Sequence, residues 1–170
     1  MDAFTATAPV PLSADSMQVH AFVGTYSGGV VGYGSAAASN EVASPLIPAP
    51  GALTRRCAMA VHDGTVKCMA ACTVGRTALL ATGGADEYIR LFDLDQYREQ
   101  GQLSKHEAAV NALQFTPDGR YLLSGSQDGV LCVWRVYDFE CLATIKAHTK
   151  ALLAIAVHPS GKFVLTTGRE

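Results

Sequence analysis

From residue 53 onward the apolar residues fall in short runs cut by turn residues, and the punctuation repeats. Three histidines open similar segments: His62 before DGTV, His106 before EAAV and His148 before TKAL, at intervals of 44 and 42 residues. After each comes an apolar run, a turn and a second apolar run ending in small residues, ATGGAD (81–86), LSGSQDG (123–129) and LTTGRE (165–170). Two units continue into a third run, EYIRLFD (87–93) and VLCVWRV (130–136). A fourth run precedes the next histidine, clearest in FECLATIKAH (139–148). Runs this short, bounded by turn formers, read as strands, four to a unit.

The turn chemistry agrees. Thr116-Pro117-Asp118-Gly119 and His158-Pro159-Ser160-Gly161 place proline and then glycine where a turn between the first two strands needs them. Asp128-Gly129 is a two-residue hairpin signal between the second and third. KHEAAVNAL (105–113) consists of good helix formers, and its local propensity argues for a helix. Its counterparts VKCMAACTV and ALLAIAVHP start at the same offset from their histidines and are richer in β-branched residues, so the repeat assigns it to a strand.

Ahead of the repeats, residues 1–18 are rich in Ala, Pro, Ser and Thr without periodicity and read as a disordered tail. Residues 19–61 read as a partial unit. AFVGTYSGGVVGYG forms a hairpin about Ser27-Gly28-Gly29, and an Ala/Ser/Pro-rich insert follows at 35–51, where Pro45, Pro48 and Pro50 exclude a central strand. Units at 62–105 and 106–147 are complete, and 148–170 is half of another.

A repeat of 40 to 45 residues with four strands each resembles the WD40-type β-propeller blade. The residues carrying the resemblance are His106, Ser124, Asp128 and Trp134 in one unit, His62, Thr82, Asp86 and Phe92 in the unit before, and His148, Thr166 and Glu170 in the last. In such a blade the indole N–H donates to the hydroxyl, the hydroxyl to the imidazole, and the other ring nitrogen to the carboxylate. Burying any member alone costs about 1–3 kcal/mol, so the set pins strands and loops in one register. Only the unit at 106–147 holds every member. Phe92 cannot donate, which leaves Thr82, His62 and Asp86, and Glu170 is a methylene longer than aspartate. Arg135 follows Trp134 where the family usually shows Asp.

The short N-terminal hairpin, the variable insert and then SGSQDGVLCVWR, ECLATIKAH and AIAVHPSGKFVLTTGRE resemble, over residues 19–170, the p21-activated kinase-interacting protein family. The resemblance implies an all-β, non-catalytic scaffold of the nucleus and nucleolus. It implies a role in large (60S) ribosomal subunit biogenesis, with pre-ribosomal assembly factors and p21-activated kinase as protein partners. It also implies that the sequence corresponds to about the first half of a family member. A propeller closes on itself to leave no bare edge, so an incomplete set of blades is expected to be open-ended. An adaptor in another complex, such as a ubiquitin-ligase substrate receptor or a signalling hub, is the alternative reading.

Composition narrows the classes. Thirteen Lys and Arg against fifteen Asp and Glu give a net charge of −2, no footprint for a dedicated nucleic-acid binder. Arg55, Arg56, Lys146, Lys150, Lys162 and Arg169 are the basic candidates for RNA phosphates, and a solvated loop set explains them as well; direct RNA contact stays open. Charged residues are 16% of the chain, below the roughly 25% usual for soluble domains, so much of the surface is expected to be covered. No apolar run approaches the ~20 residues of a membrane helix, and the first residues lack a secretory n-region.

Five cysteines (57, 68, 72, 132 and 141) without an export signal read as reduced thiols of an intracellular protein. Cys68 and Cys72 would lie about 13 Å apart on a strand at ~3.3 Å per residue, too far for one zinc. Gly125-Ser126-Gln127-Asp128-Gly129 misplaces the serine of a nucleophile elbow, and Gly24 to Gly29 lacks the Lys-Ser/Thr of a phosphate loop. No catalytic residue, metal ligand, cofactor or small-molecule substrate is expected.

Overall fold

The computed structural model describes residues 20–35 and 53–170. The expected tail at 1–18 and nearly all of the insert at 35–51 lie outside those residues.

Thirteen strands, all paired antiparallel, make up the described residues, with no helix among them. The first sheet is β1 (His20–Gly24), β2 (Gly29–Ser35) and β3 (Leu53–Ala60). The second is β4 (Val66–Val74), β5 (Thr77–Gly84), β6 (Ile89–Asp93) and β7 (Arg98–Leu103). The third is β8 (Val110–Phe115), β9 (Tyr121–Ser126), β10 (Val130–Arg135) and β11 (Cys141–Lys146). The fourth is the pair β12 (Leu152–Val157) and β13 (Val164–Gly168). Each sheet is a meander in chain order.

The segment with helical propensity is strand from Val110, with Lys105–Ala109 as its loop. Val110, Leu113 and Phe115 of β8 are buried between sheets, and that burial outweighs the few tenths of a kcal/mol per residue that propensity offers. The hairpin turn of the first sheet runs through Thr25–Gly28, with Gly28 at φ 81°, and Gly29 already belongs to β2.

The sheets stack face to face. Phe22, Val30, Met69, Leu80 and Phe92 fill the space between the first and second. Ala70, Leu79, Leu91, Leu113, Leu122 and Trp134 fill that between the second and third, and Leu123, Leu131 and Leu152 that between the third and fourth. One device recurs at every junction. The residue four after each histidine is branched: Val66, Val110 and Leu152, all buried. Each sits over a glycine of the preceding sheet, where a Cβ would come within 2.8 Å of Val66 from Gly24, 2.8 Å of Val110 from Gly83 and 2.3 Å of Leu152 from Gly125. The glycine is a hole and the branched side chain a knob, and together they fix how far one sheet slides on the next.

Candidate functional site: the histidine frames

The histidine loops (β3–β4, β7–β8 and β11–β12) share one end of the stack with the turns β5–β6 and β9–β10. The His62 Nδ1–H donates to Asp86 Oδ1 at 2.9 Å, with Oδ2 at 3.1 Å. A carboxylate only accepts, so the Nδ1 carries the proton and Nε2 accepts from the Thr82 hydroxyl at 2.8 Å. Asp86 Oδ2 also accepts the backbone N–H of Asp63 at 3.1 Å. His62, Thr82 and Asp86 thus form a closed set, with Phe92 as an apolar neighbour in the same junction.

In the third sheet the Trp134 indole N–H donates to Ser124 Oγ at 2.8 Å, and the Ser124 hydroxyl lies 2.7 Å from His106 Nε2. The far end differs from the sequence expectation that this unit holds the complete chain of bonds. The buried His106 Nδ1 has no hydrogen-bond partner. Asp128 Oδ1 instead accepts the backbone N–H of Val130 at 2.9 Å, capping its own hairpin. A carboxylate in a two-residue turn can serve either acceptor role, and here the local N–H wins. In the fourth sheet His148 Nε2 lies 3.0 Å from Thr166 Oγ1 and Nδ1 lies 3.4 Å from Glu170 Oε1. The longer side chain still reaches.

Burial pushes the pKa of both His62 and His106 down, opposed by the nearby carboxylates Asp86 and Asp128. A depressed folded-state value means that the unfolded chain takes up protons first. The associated stability is present above the ordinary histidine value of about 6.5 and is lost as pH falls through the depressed values. The denaturant midpoint is therefore expected to drop between about pH 7 and pH 5.5, before carboxylate protonation contributes. A midpoint flat across that interval contradicts it.

The closed and open ends also make a contrast. Asp86→Ala leaves the buried His62 N–H unpaired and is expected to cost about 1–3 kcal/mol. Asp128→Ala removes a turn cap and the carboxylate near His106 but breaks no hydrogen bond to the imidazole. Urea titrations of the two variants check the order, and equal midpoints refute it.

At the opposite end the residue after the aromatic position sets the β6–β7 and β10–β11 hairpins. Asp93 Oδ1 accepts the N–H groups of Asp95 and Gln96 at 2.8 and 3.0 Å. Its counterpart Arg135 instead binds Asp138 through Nε and Nη2, at 2.9 to 3.0 and 2.5 Å, and also Glu140. The aspartate is lost and its hairpin is tied by an ion cluster instead. A cleft of about 270 Å³ opens there between the second and third sheets, walled by Val74, Tyr121, Val136 and Tyr137 with Arg120 and Arg135 at its rim.

All five cysteines are free thiols. Cys68 and Cys72 both lie on β4, with burial holding both thiols well above the usual cysteine range, Cys72 at about 12. Three pairs were not foreseen from the sequence: Gly24 with Val66, Gly83 with Val110, and Gly125 with Leu152. Their signal was present, a branched residue four after each histidine and a glycine directly after Thr82 and Ser124.

Four-stranded antiparallel meanders stacked face to face, each pinned by a histidine-to-hydroxyl bond, define a β-propeller repeat protein. The WD40 family (WD domain, G-beta repeat) matches residues 55–93, 97–135 and 139–170, and the chain belongs to it. The matched units begin one strand before each histidine, so each spans the outer strand of one sheet and the inner strands of the next.

A p21-activated protein kinase-interacting protein 1-like protein of Danio rerio is 43% identical over 91 residues, 54% of this chain and 24% of that protein. Its namesake in Xenopus laevis is 40% identical over the same length, 54% of this chain and 25% of that protein. Protein MAK11 of Saccharomyces cerevisiae is 32% identical over 120 residues, 62% of this chain and 28% of that protein. The matched stretches are shorter than the 19–170 span of the sequence reading, and they span about a quarter of the length of these relatives. Among solved structures, a chain of the mitotic checkpoint complex superposes with a TM-score of 0.69 over 88% of this chain and 42% of that one, at 24% identity. The likeness shows the shared fold.

Proposed function

We propose that this protein is a non-catalytic WD-repeat scaffold of large-subunit ribosome assembly, with the units at 62–105 and 106–147 as its complete blades. The observation that carries the reading is the similarity at 43% and 40% identity to p21-activated protein kinase-interacting protein 1-like proteins, together with MAK11. The histidine frames support it from the structural side. His62, His106 and His148 each spend a ring nitrogen on a hydroxyl of their own sheet, an arrangement that fixes loops rather than attacks a substrate. Partners in this reading are pre-ribosomal assembly factors and, as the resemblance implies, p21-activated kinase; the compartment is the nucleus and nucleolus.

An immunoblot across a sucrose gradient of nuclear extract, with an antibody against residues 103–146, tests it. Co-migration with pre-ribosomal particles is the expected result. Signal confined to light fractions, away from those particles, would overturn the assignment.

A further inference from the structure

At the end of the stack away from the histidine loops, three turns repeat one pattern. The turns β4–β5, β8–β9 and β12–β13 pass through left-handed glycines, Gly75, Gly119 and Gly161, at φ 62°, 68° and 70°. Each glycine is followed by a cation: Arg76, Arg120 and Lys162. β4 touches β8 and β8 touches β12, so these cations form a row, one to a sheet. The hairpins beyond the row lean to the opposite sign. Asp93 and Asp95 face Arg98 around the β6–β7 turn, and Asp138 and Glu140 face Arg135 around the β10–β11 turn.

The cleft between the second and third sheets opens within this row. Val74, two residues before Arg76, forms one wall, and Tyr121, next to Arg120, forms another. Val136 is buried, while Tyr137 stands 93% exposed at the mouth. These walls are held in place before anything binds. A Cβ on Gly119 would lie 3.2 Å from the carbonyl oxygen of Thr73, so the β4–β5 and β8–β9 hairpins already meet. The Val136 N–H donates to the Arg120 carbonyl at 2.9 Å.

The charges on the two sides of the cleft are not equally engaged. Asp118 Oδ1 accepts the Thr116 hydroxyl at 2.6 Å and the Arg120 N–H at 3.1 Å, so this carboxylate braces its own turn. The Arg120 guanidinium stays 3.8 Å from Asp118 Oδ2, with its side chain 79% exposed. Arg76 is exposed and, among the described residues, has no ion pair. Arg135, held by Asp138 and Glu140, closes the outer rim as a cluster that neutralises its own cation.

A volume of about 270 Å³ is just below the roughly 300 Å³ at which small-molecule pockets begin, and it has room for one large side chain. Apolar walls call for an aliphatic or aromatic group, and cations beside them call for carboxylates on either side of it. A nucleic-acid strand needs a basic groove along its whole backbone and successive stacking platforms, whereas here the carboxylates of the outer hairpins would meet its phosphates. We propose that this cleft docks an acidic linear segment of a partner protein. One phenylalanine- or leucine-like side chain enters between Val74 and Tyr121, and carboxylates flanking it meet Arg76 and Arg120. The preformed walls lower the ordering cost of such a contact.

Fluorescence anisotropy with the 170-residue chain and a labelled peptide, Asp-Glu-Asp-Phe-Asp-Glu-Asp, tests this. Saturable binding is expected, weakened about tenfold by Arg76→Glu or Arg120→Glu. A similar loss of about tenfold is expected from Tyr137→Ala, and from alanine in place of the phenylalanine of the peptide. Lys105→Glu, exposed at the histidine end, is expected to leave the affinity unchanged. All four side chains are exposed, so circular dichroism and the urea midpoint are expected to match wild type. Absence of saturable binding overturns the proposal, as does equal affinity for the phenylalanine and alanine peptides. So does a Lys105→Glu variant as damaged as Arg120→Glu, which reports net charge alone. A labelled oligouridylate that binds more tightly than the peptide, and is lost with Arg120→Glu, overturns it in favour of an RNA surface. None of these results bears on which particle the protein joins, and the gradient experiment is read separately.

Discussion

Gly129→Ala is expected to remove most of the stability of the third and fourth sheets. Gly129 sits at φ 85°, a region that an L side chain enters only under strain, and a Cβ there would lie 2.3 Å from the carbonyl oxygens of both His148 and Lys150. Both obstacles are backbone, so neither can swing aside. The carbonyl of Gly129 also accepts the N–H groups of Ala147 and His148 at 3.0 and 3.1 Å, tying the β9–β10 turn to the loop that carries the next histidine. Moving the turn outward to relieve the clash breaks those bonds. Strain of about 1–3 kcal/mol adds to about 1 kcal/mol for each lost bond, a loss comparable to the whole stability of a marginal domain. A urea midpoint within error of wild type would refute the argument. Glu87 supplies an internal comparison, since it occupies the same place in the second sheet at φ 72°. Glu87→Gly is expected to stabilise by about 1 kcal/mol through relief of that strain.

Trp134→Ala is expected to cost about 3–5 kcal/mol, the range for truncating a buried aromatic. The tryptophan is 4% exposed and belongs to the cluster that holds the second and third sheets together. Trp134→Phe separates the packing from the hydrogen bond. Phe92 shows that a phenyl ring is accommodated at the same place one sheet earlier, also 4% exposed, so an aromatic ring is kept while the N–H donor and the second ring of the indole are lost. Ser124 keeps its bond to His106 at 2.7 Å, which holds the expected cost to about 1 kcal/mol. Arg135→Ala, next in the chain but only half-buried, is expected to fall below both. Chemical denaturation of the three variants is expected to rank Trp134→Ala as the most damaging, Trp134→Phe as intermediate and Arg135→Ala as the mildest. Equal midpoints for Trp134→Phe and Arg135→Ala would rule out the role of the indole N–H.

Much of this protein is written in local residue order. The spacing of His62, His106 and His148 fixes the unit length, and Asp128-Gly129 and Thr116-Pro117-Asp118-Gly119 fix turns whose backbone geometry few other residues accept. The turn signals act over two to four residues, where the chain's own stereochemistry decides, so the strands of the two complete units and their order could be read without any tertiary information. The bond from each histidine to Thr82, Ser124 or Thr166 was legible for the same reason, because register in a hairpin is set by its turn.

Three features were settled only by the folded chain. The partner of each histidine's Nδ1 depends on whether a carboxylate faces the imidazole or its own backbone two residues on. Asp86 takes the first and Asp128 the second, each at 2.9 Å. A small shift in a loop exchanges those alternatives, and residue identity does not encode it. β3 pairs with β2 across residues 36–52, a long-range pairing chosen by the apolar face it covers rather than by any turn. The fit of Val66, Val110 and Leu152 over Gly24, Gly83 and Gly125 joins residues of different sheets. A glycine in a strand reads locally as weakness, and only the stacking of one sheet on the next makes it a socket.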